Sequence, residues 1–137
     1  MRIKRIAEEA WTLYGVMEGQ HDVLQDMASL RRQYRAHVDG LLNLMEDIAS
    51  GRRDPTQLPA DLCHRIDDNY QIWQFTKGRL RLLWFYDGVR LIICAHVFLK
   101  RTPTTPARER NIAIDLKGRY ERAKLSGTLE IIQDEDE

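Results

Sequence analysis

Two dipeptides, Lys77-Gly78 and Asp87-Gly88, cut the middle of this chain into three β-like runs at residues 72–76, 80–86 and 91–100. No other feature restricts the fold as tightly. Asp-Gly is a strong hairpin signal, because a type I′ turn needs positive φ and glycine takes it without steric cost. Three runs joined by two tight turns predict an antiparallel meander. With two-residue loops at both turns, Arg81 lies opposite Cys94 and Arg79 opposite His96, while Gln74 lies opposite Arg81 and Phe75 opposite Leu80. Side chains alternate along a strand, so this register sorts them. Trp73, Phe75, Leu80, Leu82, Trp84, Leu91, Ile93, Ala95 and Val97 share one face, which reads as a core. Gln74, Thr76, Arg79, Arg81, Cys94, His96 and Lys100 share the other, where polar groups from three strands converge.

The flanks supply the cover. Residues 11–17 read as a strand. Val23, Met27 and Leu30 predict one helix, and Tyr34, Val38, Leu41, Leu42, Met45 and Ile48 a second, stopped by Gly51. Pro55 and Pro59 mark a loop. After the meander, Thr105 suits an N-cap and Pro106 the first helical position. Ile112, Leu116 and Tyr120 then form an apolar stripe among Arg108, Arg110, Lys117, Arg119, Arg122 and Lys124. Residues 129–132 either add a short strand or belong to the tail. The expected fold class is α+β, an antiparallel sheet packed against two N-terminal helices with a C-terminal basic helix. It forms a single domain over 1–128, followed by an acidic tail over 129–137.

Size and charge narrow the function. A chain of 137 residues has room for one core. No stretch approaches the ~18 apolar residues that span a bilayer, so no membrane partner is expected. The basic start runs into Glu8-Glu9, which does not predict a secretory signal. Two cysteines, Cys63 and Cys94, make no disulfide framework, and a reduced, cytoplasmic setting is expected. The net charge of zero hides an asymmetry: 9 Lys/Arg against 12 Asp/Glu over residues 1–76, 12 against 4 over 77–124, and five acids with no base thereafter. A basic segment in an otherwise acidic chain suggests a site for phosphates, although a solvated face has the same composition.

The order of elements meets familiar residues in 72–75, 79–86, 97–106 and 111–120. Aromatic residues precede an arginine strand, and a hydrophobic strand ends in Phe98-Leu-Lys100-Arg101. A Thr-rich linker with Pro103 and Pro106 follows, leading into a helix that ends in Tyr120. This combination resembles the RelE/HigB toxin superfamily, closest to its phage-derived branch, over roughly residues 11–124. The resemblance implies a RelE-like toxin of a type II toxin–antitoxin system that cuts messenger RNA, usually on the ribosome. Its partners would be a cognate antitoxin, most often a small helix-turn-helix protein, and mRNA with the ribosome. No metal or other cofactor is implied.

Such cleavage uses the ribose 2′-OH as an internal nucleophile, and needs a proton acceptor, an acid for the leaving 5′-oxygen and cations for the charged transition state. By resemblance, Arg81 contacts the scissile phosphate, which suits its planar donors. Lys100 and Arg101 match the basic pair closing the last strand. Lys77, Arg79, Arg108, Arg110 and Lys117 are further RNA-binding candidates. His96 is either the acid/base or a hydrogen-bonded sheet residue. Tyr120 either serves as acid/base or stacking platform, or simply packs. His64 beside Cys63 lacks a second ligand pair, which makes a zinc site improbable. Related toxins often carry basic or Glu/Arg residues on the first meander strand, where this chain has Gln71 and Gln74. The competing possibility is therefore a module of the same fold that binds a protein or RNA without cutting. A DNA-reading helix is a poor fit, because strands rather than a supporting helix precede the basic helix.

Overall fold

The computed structural model describes residues 1–133; residues 134–137 of the expected acidic tail lie outside it. The chain opens with a β-hairpin, β1 (Arg2–Glu8) and β2 (Thr12–Met17), then a long helix, α1 (Val23–Ala49). After the proline loop come β3 (Cys63–Asp67), β4 (Ile72–Lys77), β5 (Leu80–Tyr86) and β6 (Leu91–Leu99). Helix α2 (Ala107–Ser126) and a short β7 (Glu130–Ile132) complete it. All strands join one sheet in the order β3-β4-β5-β6-β2-β1-β7.

This corrects the expected architecture in two ways. The sheet is mixed, with seven strands: β2 runs parallel to β6 and β7 parallel to β1, while the other neighbours are antiparallel. A single helix stands where two N-terminal helices were expected, and a hairpin precedes it. Asp22 and Gln25 form a capping box that starts α1, with reciprocal bonds of 2.9 and 2.8 Å. Between Leu30 and Tyr34 no glycine or proline intervenes to end the helix. The two apolar stripes are accommodated by a kink at Tyr34 (φ −126°, ψ 40°) rather than by a break.

The sheet is covered on both sides. Against α1 pack Leu13, Phe75, Leu80, Leu82, Trp84, Ile92, Cys94 and Val97. Against α2 pack Ile3, Val16, Ile72, Leu83, Phe85, Ile93 and Ala95, with Ala113, Leu116 and Tyr120 from the helix itself. A sheet buried on two faces reads as continuous apolar runs rather than as alternation. Leu82-Leu-Trp-Phe85 and Ile92-Ile-Cys-Ala95 are such runs, each residue buried.

The turns set the register, and both differ from the arithmetic. The first turn centres on Gly78-Arg79, with Lys77 paired to Leu80 and Thr76 to Arg81. The shift is two residues, which preserves the faces of β4 and β5 but takes Arg79 into the turn and off the polar face expected for it. The second loop has three residues, 88–90, closed by Asp87 N–H donating to the Leu91 carbonyl at 3.0 Å, with positive φ at Gly88 and Arg90. That odd shift moves Ile93 to the α2 face and Cys94 to the α1 face. A bulge at Ala95, between the Trp84–Cys94 and Leu83–His96 pairs, then restores the phase, so Val97 faces α1 as expected. Thr105 does not cap α2: Pro106 holds the N-cap position without a side-chain bond.

Candidate functional site

Helix α2 covers only part of its side of the sheet. The uncovered part is where β3, β4, β5 and the end of β6 lie side by side, and pairing defines it in rows. His64 lies opposite Gln74, Gln74 opposite Leu83, and Leu83 opposite His96. One step along, Thr76 lies opposite Arg81 and Arg81 opposite Phe98. Lys100 N–H donates to the Arg79 carbonyl at 2.7 Å, extending the β5–β6 ladder past Leu99. Lys100 is thereby the diagonal neighbour of Arg81, a relation that places Cα atoms roughly 7–8 Å apart.

These rows floor an open cleft of about 600 Å³, lined by His64, Gln74, Thr76, Arg81, Phe98 and Lys100, with Arg110 of α2 at its rim and residues 102–105 as its roof. The roof is tied to the floor. Gln74 is buried; its Oε1 accepts from Thr105 Oγ1 at 2.7 Å and its Nε2 donates to Thr76 Oγ1 at 3.2 Å. The charged groups lining the cleft are Asp61, Arg65, Arg81, Lys100 and Arg110. Arg65 pairs with Asp68 at 2.8 Å and Arg110 with Asp67 at 3.9 Å. Among the described residues, Arg81 and Lys100 have no carboxylate partner.

Arg81 is held in position by the turn beside it. Its Nη1 donates to the carbonyls of Gly78 (2.7 Å) and Leu80 (3.0 Å), which uses the two hydrogens of that nitrogen. The Nε–H and the two Nη2 hydrogens remain as a fork for a bidentate oxyanion. Partial burial lowers the guanidinium from the ordinary arginine value, yet an arginine remains charged throughout the accessible pH range.

The other expected residues are dispersed. Arg101 lines a second cleft of about 580 Å³ with Arg108, Leu30 and Glu109; Phe98 forms the wall between the two. Consecutive strand-end residues point to opposite sides, which separates Arg101 from Lys100. His96 sits behind that wall, its ring stacked on Phe98 and its Nε2 3.3 Å from Glu109 Oε2. Tyr120 is buried against Phe85, and its hydroxyl donates to Asp87 at the far end of the sheet. Burial first, then that bond, pushes the Tyr120 phenol well above its usual range. Lys117 donates to the Tyr70 carbonyl and lies over Phe85. Arg79 and Lys77 turn toward α1: the Arg79 guanidinium lies over the Tyr34 ring, and the Lys77 chain runs past Gly40.

One residue of the cleft escaped sequence reasoning except as a discarded zinc ligand. His64 is on β3, a strand that residues 63–67 do not announce, since only Cys63 there is buried while His64 and Arg65 are exposed. Cys63 faces the α1 core, where burial raises its thiol to about 12. Adjacent residues on opposite faces cannot grip one ion. Among the described residues, no group of three or more His, Cys, Asp or Glu side chains is placed to hold a metal, and no helix is long and apolar enough to cross a membrane.

Residues 25–117 match the model of a family described as phage derived protein Gp49-like (DUF891). The matched span contains every strand of the cleft. The match bears out the phage-derived part of the resemblance. No curated protein matches the chain.

Proposed function

The chain belongs to the phage-derived Gp49-like family, and on that footing we propose that it is the toxin of a toxin–antitoxin pair, an endoribonuclease of RelE/HigB type acting on messenger RNA. The observation that carries this reading is the juxtaposition of Arg81 and Lys100 in one cleft, both without carboxylate partners among the described residues. A phosphodiester lying across β5 and β6 would meet the free fork of Arg81 on one side and the Lys100 ammonium on the other. As the ribose 2′-oxygen attacks phosphorus, negative charge grows on the two non-bridging oxygens. Fixed donors aimed at that charge are worth about 10²–10³ in rate each. The Gly78 and Leu80 carbonyls hold Arg81 in place before substrate arrives, so little reorganisation is needed.

The partner proposed is a small antitoxin, of helix-turn-helix type, that covers the cleft and denies it to RNA; the site of action proposed is the ribosome in the cytoplasm. Arg101 and Arg108, in the adjoining cleft, would contact flanking phosphates rather than the scissile one. His96 and Tyr120 are assigned to packing.

Expression of the wild-type chain should arrest growth and create new RNA 5′ ends detectable by primer extension, and Arg81→Ala should abolish both. Equal harmlessness of the two chains would contradict the proposal. A second reading has one observation in its favour. Gln74, on the strand where related toxins often carry charge, is neutral with both ends of its amide already bonded. A non-cutting RNA or protein binder would retain affinity for RNA or partner and yield no new ends.

A further inference from the structure

We infer that His64 is the general base of this cleft, taking the proton of the attacking ribose 2′-OH; this rests on the ribonuclease reading above. Three observations converge. His64 lies on the same face and in the same cavity as Arg81 and Lys100, in the row next to Arg81. Its Nδ1 is 3.2 Å from the Ala60 carbonyl. A carbonyl only accepts, so Nδ1 carries the hydrogen and Nε2 presents its lone pair. The Ala60 carbonyl is itself held by a tight turn, in which the N–H groups of Leu62 and Cys63 both donate to Pro59. A fixed tautomer with the second nitrogen open is what a base needs.

The alternatives are otherwise engaged. His96 shares its Nε2 with Glu109 in a different cavity, and the Tyr120 hydroxyl is taken by Asp87. Among the described residues lining the cleft, His64 is the sole imidazole and Asp61 the sole carboxylate. The charged groups surrounding His64 are Asp61, Arg65, Arg81, Lys100 and Arg110.

In the step, the 2′-O–H bond breaks as its proton passes to His64 Nε2, and the 2′-oxygen bonds to phosphorus. The P–O5′ bond then breaks, the 5′-oxygen takes a proton from solvent, and His64 returns its own to solvent. The products are a 2′,3′-cyclic phosphate and a 5′-hydroxyl, with no change of oxidation state.

The test measures cleavage of a translated message, and binding of a short single-stranded RNA, for wild type, Arg81→Ala, His64→Gln, His64→Ala and Asp61→Asn. His64 is exposed, so these chains should remain folded, which circular dichroism checks. His64→Gln should bind RNA within about twofold of wild type and cut at least about 100-fold more slowly. The expected outcome is a wild-type rate that falls toward acid pH, a His64→Gln rate that does not, and cleavage by His64→Ala that added imidazole restores. Wild-type cleavage by His64→Gln, or a loss that imidazole does not rescue and that leaves the pH profile unchanged, overturns the inference while the ribonuclease reading stands. Loss in Asp61→Asn with imidazole-independent His64→Ala names the carboxylate instead. A wild-type chain that cuts nothing overturns both.

Discussion

The hydroxyl of Thr105 donates a 2.7 Å hydrogen bond to Oε1 of Gln74, thirty-one residues earlier in the chain. It pins the linker before α2 to the floor of the cleft, across the sheet from α1. Thr105 stands one residue before the N-cap Pro106, and α2 starts without a side-chain cap. The bond ties the roof of the cleft to its floor.

Removing that bond should cost stability rather than fold. Thr105→Val leaves the buried Gln74 oxygen unsatisfied and should destabilise by about 1–3 kcal/mol, whereas Thr105→Ser should stay within about 0.5 kcal/mol of wild type. Urea unfolding followed by tryptophan fluorescence measures the difference. Equal midpoints for the two variants would mean that the roof is not held by this bond.

At the opposite end of the sheet, Asp87 accepts from Lys124 Nζ at 2.7 Å and from the Tyr120 hydroxyl. Burial pushes its carboxyl up, but the bonds from Lys124 and Tyr120 outweigh this and hold it below the usual value. A carboxyl depressed in the folded state stabilises above its unfolded pKa of about 3.9 and loses that contribution as pH falls through the folded value. Thermal melts from pH 7 downward should therefore show a loss below about pH 4 that is smaller in Asp87→Asn. An identical acid dependence in both chains would remove Asp87 from the explanation.

Gly78 should resist substitution. Its φ is +55°, and a Cβ there would stand 2.4 Å from the His37 ring. The left-handed backbone alone costs about 1–2 kcal/mol for alanine, and the clash adds to it. The His37 ring also accepts the Arg79 N–H at 3.2 Å. Gly78→Ala should thus be markedly destabilising, and less so in a His37→Ala background, as a double-mutant cycle in urea would show. Strict additivity would mean that the ring moves away without resistance.

Lys100 and Arg101 should separate despite being neighbours. Both substitutions to alanine should weaken single-stranded RNA binding and flatten its salt dependence, each by a slope of about 0.7 if one phosphate contact is lost. Only Lys100→Ala should also slow cleavage of bound RNA, because Arg101 lines the adjoining cleft. An equal effect of both on the cleavage step would contradict the division of labour.

Much of this arrangement was legible in the sequence. The meander was readable because Gly78 and Gly88 are the points where the chain must take positive φ, and both do. The register at the first turn missed by an even number, so Gln74, Thr76 and Arg81 still shared a face. At the second turn Arg90 also takes positive φ, a conformation unusual for arginine that no propensity announces. The resulting odd shift put Cys94 on the wrong face until the bulge at Ala95. The two-sided burial was visible in Leu82-Leu-Trp-Phe85, but alternation was assumed there instead. Strands β1 and β3 were hidden because each exchanges charged and apolar residues without strict period: Arg-Ile-Lys-Arg-Ile in one, Cys-His-Arg-Ile in the other. With β3 unrecognised, His64 had no place in the cleft that Arg81 lines. The separation of Tyr120 from the cleft was not readable at all, since it depends on which end of the sheet α2 covers.

The central proposition, that the Arg81 fork and the Lys100 ammonium clasp one phosphate, is tested most directly by a double-mutant cycle on the cleavage rate. Arg81→Ala, Lys100→Ala and the double variant are compared with wild type on one translated message. Two groups acting on the same oxyanion should be strongly non-additive, the double variant cutting little more slowly than the worse single one. Fully additive losses, or a wild-type rate in either single variant, would mean that the two cations do not share a phosphate.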